Sequence, residues 1–272
     1  MTAMPRPGTW IPIAALALLG LALYARGLVL GFVGDDFTLL DAALRVPLGD
    51  LVSGRFGIPG YYRPVSRELY FWAWGRIAGL GPGGFHLVNA ATFAATVFML
   101  AQLARDLAGP RAARLAAAAL VVFPAGSALL AWVSCAQDLI AMFWCAAALL
   151  LYARGRHGLA GAAALLAALS KETAAVLPAA IAVLEWQLAP RATPGERVRR
   201  LAPAAIGLIA AAAIAIAVRA GWPAGAAVAV WSPAQIMGAW QLPFDLLRTY
   251  LPPDAGAGIA QAFAEQPLLP VV

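Results

Sequence analysis

The sequence predicts an all-α fold, a polytopic membrane bundle of about seven or eight spans with juxtamembrane helices in a long first outer loop. Three observations carry this expectation. The chain of 272 residues is 62% hydrophobic and only 12% charged, whereas a soluble domain keeps about a quarter of its residues charged. Its mean hydropathy is +0.79. Half of its arginines gather in short loops between apolar runs: Arg105, Arg111 and Arg114, then Arg154 and Arg156, then Arg191, Arg197, Arg199 and Arg200. That is the pattern of cytoplasmic loops. The net charge of +6 therefore sets orientation, and since the arginines form no stripe or basic helix, no nucleic acid partner is expected.

The elements follow in order. Residues 10–31 make the first span, leaving the cytoplasm, with Arg26 the one charge inside it. Arg6 and the apolar run after it resemble a signal peptide. The run is too long and lacks a small-residue cleavage site before Tyr24, so an uncleaved anchor is expected. Residues 32–84 form the outer loop. Within it, Leu39, Leu40, Ala43, Leu44, Leu48 and Leu51 recur at helical spacing. Pro64 is placed to start a second short helix, through Leu80. Tyr70, Phe71, Trp72 and Trp74 put that helix along the outer membrane surface.

Spans are expected over 85–103, 115–132 and 138–152. The basic loops then force residues 158–188 to start and end on one side. Those 31 residues give about 46 Å of helix, and two full crossings need about 60 Å. A short hairpin turning at Ser170-Lys171-Glu172 fits, with a single crossing against the charge rule as its rival. Leu201 to Val218 crosses outward, Trp222 and Trp231 bracket an outer loop, and 234–250 is a polar-spotted last pass. This divides the chain into a membrane module at 1–250, with its outer loop at 32–84, and an irregular tail at 251–272. Cys135 and Cys145 stand ten residues apart, about 15 Å along a helix, too far for a disulfide.

Several polar groups stand out against this apolar background, each with a structural alternative. Asp35-Asp36 follows the first span in a chain with only 13 acidic residues. One Asp suffices for a helix N-cap; two together can act as a base or bind a divalent ion such as Mg or Mn. In Tyr61-Tyr62-Arg63-Pro64, the guanidinium fork matches phosphate oxygens, and an interfacial aromatic anchor is the alternative. His86 and Asn89 share a helix face, and a hydrogen-bonded structural histidine is the commoner case. Asp138 opens a span, where a cap explains it. Lys171 is the only lysine of the chain. It sits beside Glu172 in an apolar run, where buried charge is tolerated only along a cavity, and a lysine facing a phosphate is the natural use. No P-loop, HExxH, CxxC or GxSxG motif occurs.

Taken in order, Asp35-Asp36, Tyr62-Arg63-Pro64, Pro82 with Phe85-His86-Leu87-Val88-Asn89, and Ser170-Lys171-Glu172 leading to Pro178 resemble the C-type membrane glycosyltransferases. The nearest likeness is to bacterial relatives of protein O-mannosyltransferases and of the lipid A aminoarabinose transferase, over about residues 10–190. Where related transferases often carry Gly-Arg before the aspartate near the fourth span, this chain has Ala136-Gln137. The resemblance implies an enzyme of the bacterial cytoplasmic (inner) membrane. It would move a sugar from a polyprenyl-phosphate donor to a protein or lipid-linked acceptor on the outer side. It implies Asp35 or Asp36 as the acidic residue engaging the acceptor or a metal, and Lys171 and Arg63 on the donor phosphate. Tyr62, His86, Asn89, Asp138 and Glu172 would line or support the pocket. A truncated inactive scaffold and a transporter are the competing readings; a transporter would place its acidic pair at mid-membrane on paired broken helices.

Overall fold

A computed structural model of the chain describes residues 11–54, 61–79, 81–123 and 126–220. The expected last pass at 234–250 and the tail at 251–272 lie outside them. The described residues are helical and contain no strand. Among the described residues three helices are long and apolar enough to cross a bilayer, Pro82–Val122, Val133–Ala153 and Pro194–Ala220, which is the mark of a membrane protein.

The first helix, α1 (Ile11–Leu23), is shorter than the predicted span 10–31. Apolar composition continues past Leu23, but the chain turns at Tyr24 because that residue has a task elsewhere. Its hydroxyl donates to the carbonyls of Val121 and Phe123, at 2.9 and 3.1 Å, where a later helix ends and leaves its last carbonyls without intrahelical partners. A short 3-10 turn, Gly27–Val29, follows. A Cβ at Gly27 would lie 2.8 Å from that of Ala131, so the turn fits only a glycine.

Two short helices then form, α2 (Asp36–Arg45) and α3 (Leu48–Val52), as the spacing of their leucines predicts. A π-helical turn at Pro64–Leu69 leads into α4 (Tyr70–Ala78). These last two do not simply lie along a surface. Ser66, Arg67, Glu68, Tyr70 and Phe71 are all buried, because Phe71 and Tyr70 pack with Phe85, Leu39, Leu40 and Val133 in one cluster.

The long helix α5 (Pro82–Val122) breaks at Gly109, whose φ of 87° is open to glycine, with Pro110 behind it. The chain folds back there, and Phe93, Val97 and Ala101 meet Ala113, Ala117 and Val121 in one core cluster. The outgoing arm stops at Val122, not at Trp132 as predicted. A separate helix, α6 (Gly126–Ala131), and a 3-10 turn, Val133–Cys135, cover the remainder.

After this come α7 (Ala136–Ala153), α8 (His157–Ala168), a 3-10 turn at Glu172–Val176, α9 (Leu177–Leu188) and α10 (Pro194–Ala220). The chain breaks between α8 and α9 at residues 169–171, where the length argument places the hairpin turn. Each arm is 12 residues, about 18 Å, too short to cross alone. Helix α8 lies against α10 at backbone contact: a Cβ at Gly161 would strike the Pro203 carbonyl, and one at Gly207 the Gly161 carbonyl. Small residues let helices approach this closely in lipid. Cys135 and Cys145 are free thiols.

Two polar layers bound α7, whose 18 residues rise about 27 Å, close to the hydrocarbon thickness of a bilayer. One layer surrounds Asp138. At the other, Arg154 donates to Asp106 at 2.9 Å and to Gln102 at 2.7 Å. There the Tyr152 hydroxyl donates to buried Glu185 at 2.8 Å, which also faces Arg200 at 3.6 Å. At the start of α8, burial and the Arg200 charge hold His157 below its ordinary value, so its ring is neutral at pH 7.

Candidate functional site

The polar layer at the start of α7 draws five side chains from three distant stretches. Arg63 stands just before the π turn, Gln137 and Asp138 in the first turn of α7, and Lys171 and Glu172 at the hairpin tip. Arg63 donates from Nε and Nη2 to Glu172 Oε2, at 3.0 and 2.7 Å, and from Nη1 to Gln137 Oε1 at 2.7 Å. Lys171 Nζ donates to both Asp138 oxygens at 2.6 Å. Since 137–138 and 171–172 are each neighbours in the chain, these bonds close a ring. The backbone explains the split of partners. Lys171 is extended, with φ −161° and ψ 149°, which sends successive side chains to opposite sides. Lys171 and Glu172 therefore neutralise other residues, not each other.

The ring has a built support. Ser66 Oγ donates to the Ser170 carbonyl and Val65 N to the Leu169 carbonyl, so the π turn clamps the hairpin tip. π-helical turns concentrate at functional sites. Inside that turn Arg67 pairs with Glu68, both buried, and also donates to the Tyr61 carbonyl at 2.7 Å. The Arg63 guanidinium lies 4.5 Å over the Tyr61 ring, a cation–π contact that fixes its plane.

Depth within the ring is uneven. The Arg63 and Lys171 side chains are 15% and 21% exposed, and their partners Glu172 and Asp138 are 43% and 32% exposed. The cations sit deeper and the carboxylates cover them from the water side. Both residues expected to hold a phosphate are thus already paired with carboxylates.

The two aspartates after the first helix have different jobs. Asp36 is fully buried. Its Oδ2 accepts from Val33 N at 2.9 Å, and its Oδ1 from Ser134 N at 2.7 Å and from Ser134 Oγ. It ties the start of α2 to the turn before α7 and is a strut, not the open acid, base or metal ligand expected beside Asp35. Asp35 begins α2 without capping it through its side chain, and its Oδ1 makes no hydrogen bond among the described residues. The Cys135 thiol lies within electrostatic reach of Asp35, Asp36, Asp138 and Lys171.

The remaining predicted residues are supports. His86 faces two backbone carbonyls, Leu130 through Nδ1 at 2.9 Å and Leu30 through Nε2 at 3.0 Å, and joins three stretches of chain. Asn89 accepts from the Tyr70 hydroxyl at 3.0 Å and donates to the Val133 carbonyl at 3.3 Å. The Tyr62 hydroxyl donates to the Val52 carbonyl at 2.8 Å. Among the described residues no three His, Cys, Asp or Glu side chains gather as a metal set, and the expected Asp35–Asp36 pair is split because both Asp36 oxygens already have donors.

Sequence reasoning missed Gln137, Ser134 and Ser66. Gln137 is buried and holds Arg63 from below. Its signal was its place beside Asp138 in a nearly uncharged stretch; the serines offered none. The chain matches no protein-family model, no curated protein and no solved structure. The function therefore has to be argued from this site.

Proposed function

We propose that the chain is a multi-span membrane glycosyltransferase that moves a sugar from a polyprenyl-phosphate donor to an acceptor hydroxyl, on a protein or a glycolipid. The observation that carries the reading is a pair of partly buried cations, Arg63 and Lys171, held together at one membrane boundary; Asp35, whose buried Oδ1 has no hydrogen-bond partner among the described residues, is the carboxylate proposed to act with them. Such a set does both halves of an inverting transfer. Asp35 takes the acceptor hydroxyl proton as that oxygen forms its bond to the anomeric carbon. The bond from that carbon to the phosphate oxygen breaks, the electron pair stays on the phosphate, and Arg63 and Lys171 stabilise the charge that develops there.

The arginine-rich loops support the finer topology: about seven or eight spans, a cytoplasmic N-terminus, and the ring at the outer face of a bacterial inner membrane. Labelled polyprenyl-phosphate sugars offered to the purified full chain test the reading. Release or transfer of sugar by the parent, lost in Asp35→Asn and Lys171→Ala, is the expected result. No release and no donor binding would sink it.

A second reading has one observation behind it. Both cations are fully countered by carboxylates, as in a purely structural ring, which fits a non-catalytic scaffold. Glu172→Gln separates the two. If Glu172 merely covers Arg63, removing its charge frees the fork, and binding of polyprenyl phosphate tightens about two- to five-fold, the worth of a partly exposed pair. Unchanged or weaker binding, with a less stable fold, favours the scaffold.

A further inference from the structure

The opposite end of the bundle has no part in the site above, yet it combines two features that point to one ligand. The first is charge. Nine arginines, Arg105 to Arg200 in the three basic loops, stand there with Asp106, Glu185 and Glu196 as their acidic neighbours, an excess of six positive charges. The second is a groove of 380 Å³ between α5, α7 and α9, lined by Leu103, Leu149, Ala180 and Val183, with Gln187 as its polar liner. The groove's position in depth follows from its neighbours. Leu103 adjoins Gln102 and Leu149 stands about one and a half turns before Arg154, and Gln102 and Arg154 are hydrogen-bonded to each other. Beside Gln187, exposed Trp186 carries the Arg197 guanidinium 4.3 Å above its ring, an aromatic–cation pair of the kind found at headgroup level. One end of the groove is therefore at the headgroup layer, and the other, at Ala179, is about 12 Å deeper in the apolar layer.

We propose that this end binds one anionic phospholipid, with an acyl chain in the groove and its phosphate against Arg154 and Arg197. Arg154 is suited to this role. Asp106 and Gln102 engage its Nε and Nη2 and hold the guanidinium at the mouth, while the side chain remains 43% exposed. A neutral lipid fills the groove equally well but leaves the excess charge unanswered, so headgroup charge is what selects the occupant. This site is independent of the glycosyl-transfer reading, and its test uses no sugar donor.

The experiment is native mass spectrometry of the full chain purified in neutral detergent and titrated with phosphatidylglycerol or phosphatidylcholine. The expected result is one retained phosphatidylglycerol per chain, preferred about five-fold, with the preference falling as salt rises. Val183→Trp, which fills the groove from its exposed side, loses retention of both lipids. Arg154→Gln keeps a lipid but loses the preference. Ile209→Trp, on the exposed face of α10, behaves as the parent. Should the Val183 variant fail to fold, Ala180→Leu fills the same groove with a smaller group. Equal retention of the two lipids by the parent overturns the proposal, and so does undiminished retention by a folded groove-filling variant.

Discussion

Alanine at position 36 is expected to cost the fold about 3 kcal/mol or more, while asparagine at the neighbouring position 35 leaves stability within about 0.5 kcal/mol. The two carboxylates differ in what they leave behind. Removing the Asp36 side chain strands Val33 N, Ser134 N and Ser134 Oγ, donors that meet at a residue with no solvent exposure. Each stranded buried donor carries a desolvation penalty of about 1–3 kcal/mol. Asp35 is different, because among the described residues its Oδ1 serves no donor. Under the proposed function the order reverses for activity: Asp35→Asn lowers the rate by about 10²–10⁴-fold, the usual worth of a general base. Denaturant midpoints in detergent and sugar release on the same preparations read both axes. Equal stability losses in the two variants would show that Asp35 is a second strut and remove the base from the mechanism.

This contrast also marks what one sequence can carry. That the fold is helical and membranous was legible from composition and run length, which do not depend on partners. The break within 158–188 was legible from the basic loops on either side and from a length too short for two full crossings. The ends of elements were not. The first helix stops at Leu23 because Tyr24 serves carbonyls about a hundred residues away, and no local signal reports that. The same limit applied to the site. Lys171 and Arg63 stood out as charges in apolar surroundings, but their pairing with Asp138 and Glu172 is a tertiary fact. So is the division of labour in Asp35-Asp36, which turns on Ser134, a residue without any sequence signal. An unusual charge shows that something must compensate it; only the fold shows what does.

The most damaging single change away from the polar layers is expected at Gly207. Valine there places its Cβ on the Gly161 carbonyl oxygen, and no rotation relieves the clash because one atom is backbone and the other is fixed by the backbone. Helices α8 and α10 must then separate. Overpacking of this kind costs about 1–3 kcal/mol even where side chains can yield, so at least about 3 kcal/mol is expected here. The consequence reaches the ring, because α8 ends at Ala168 and the following turn presents Lys171 to Asp138. A shift of α8 along or away from α10 moves that ammonium from a contact of 2.6 Å. Under the proposed function, Gly207→Val therefore weakens polyprenyl phosphate binding as well as stability, although residue 207 lies on another helix. Gly158 is the matched control: it sits on α8 with open space where a Cβ would go. Gly158→Ala is expected to be neutral or to stabilise by up to about 1 kcal/mol, with binding unchanged. If Gly207→Val unfolds at the parent's denaturant midpoint, the close α8–α10 crossing is wrong, and with it the support of Lys171.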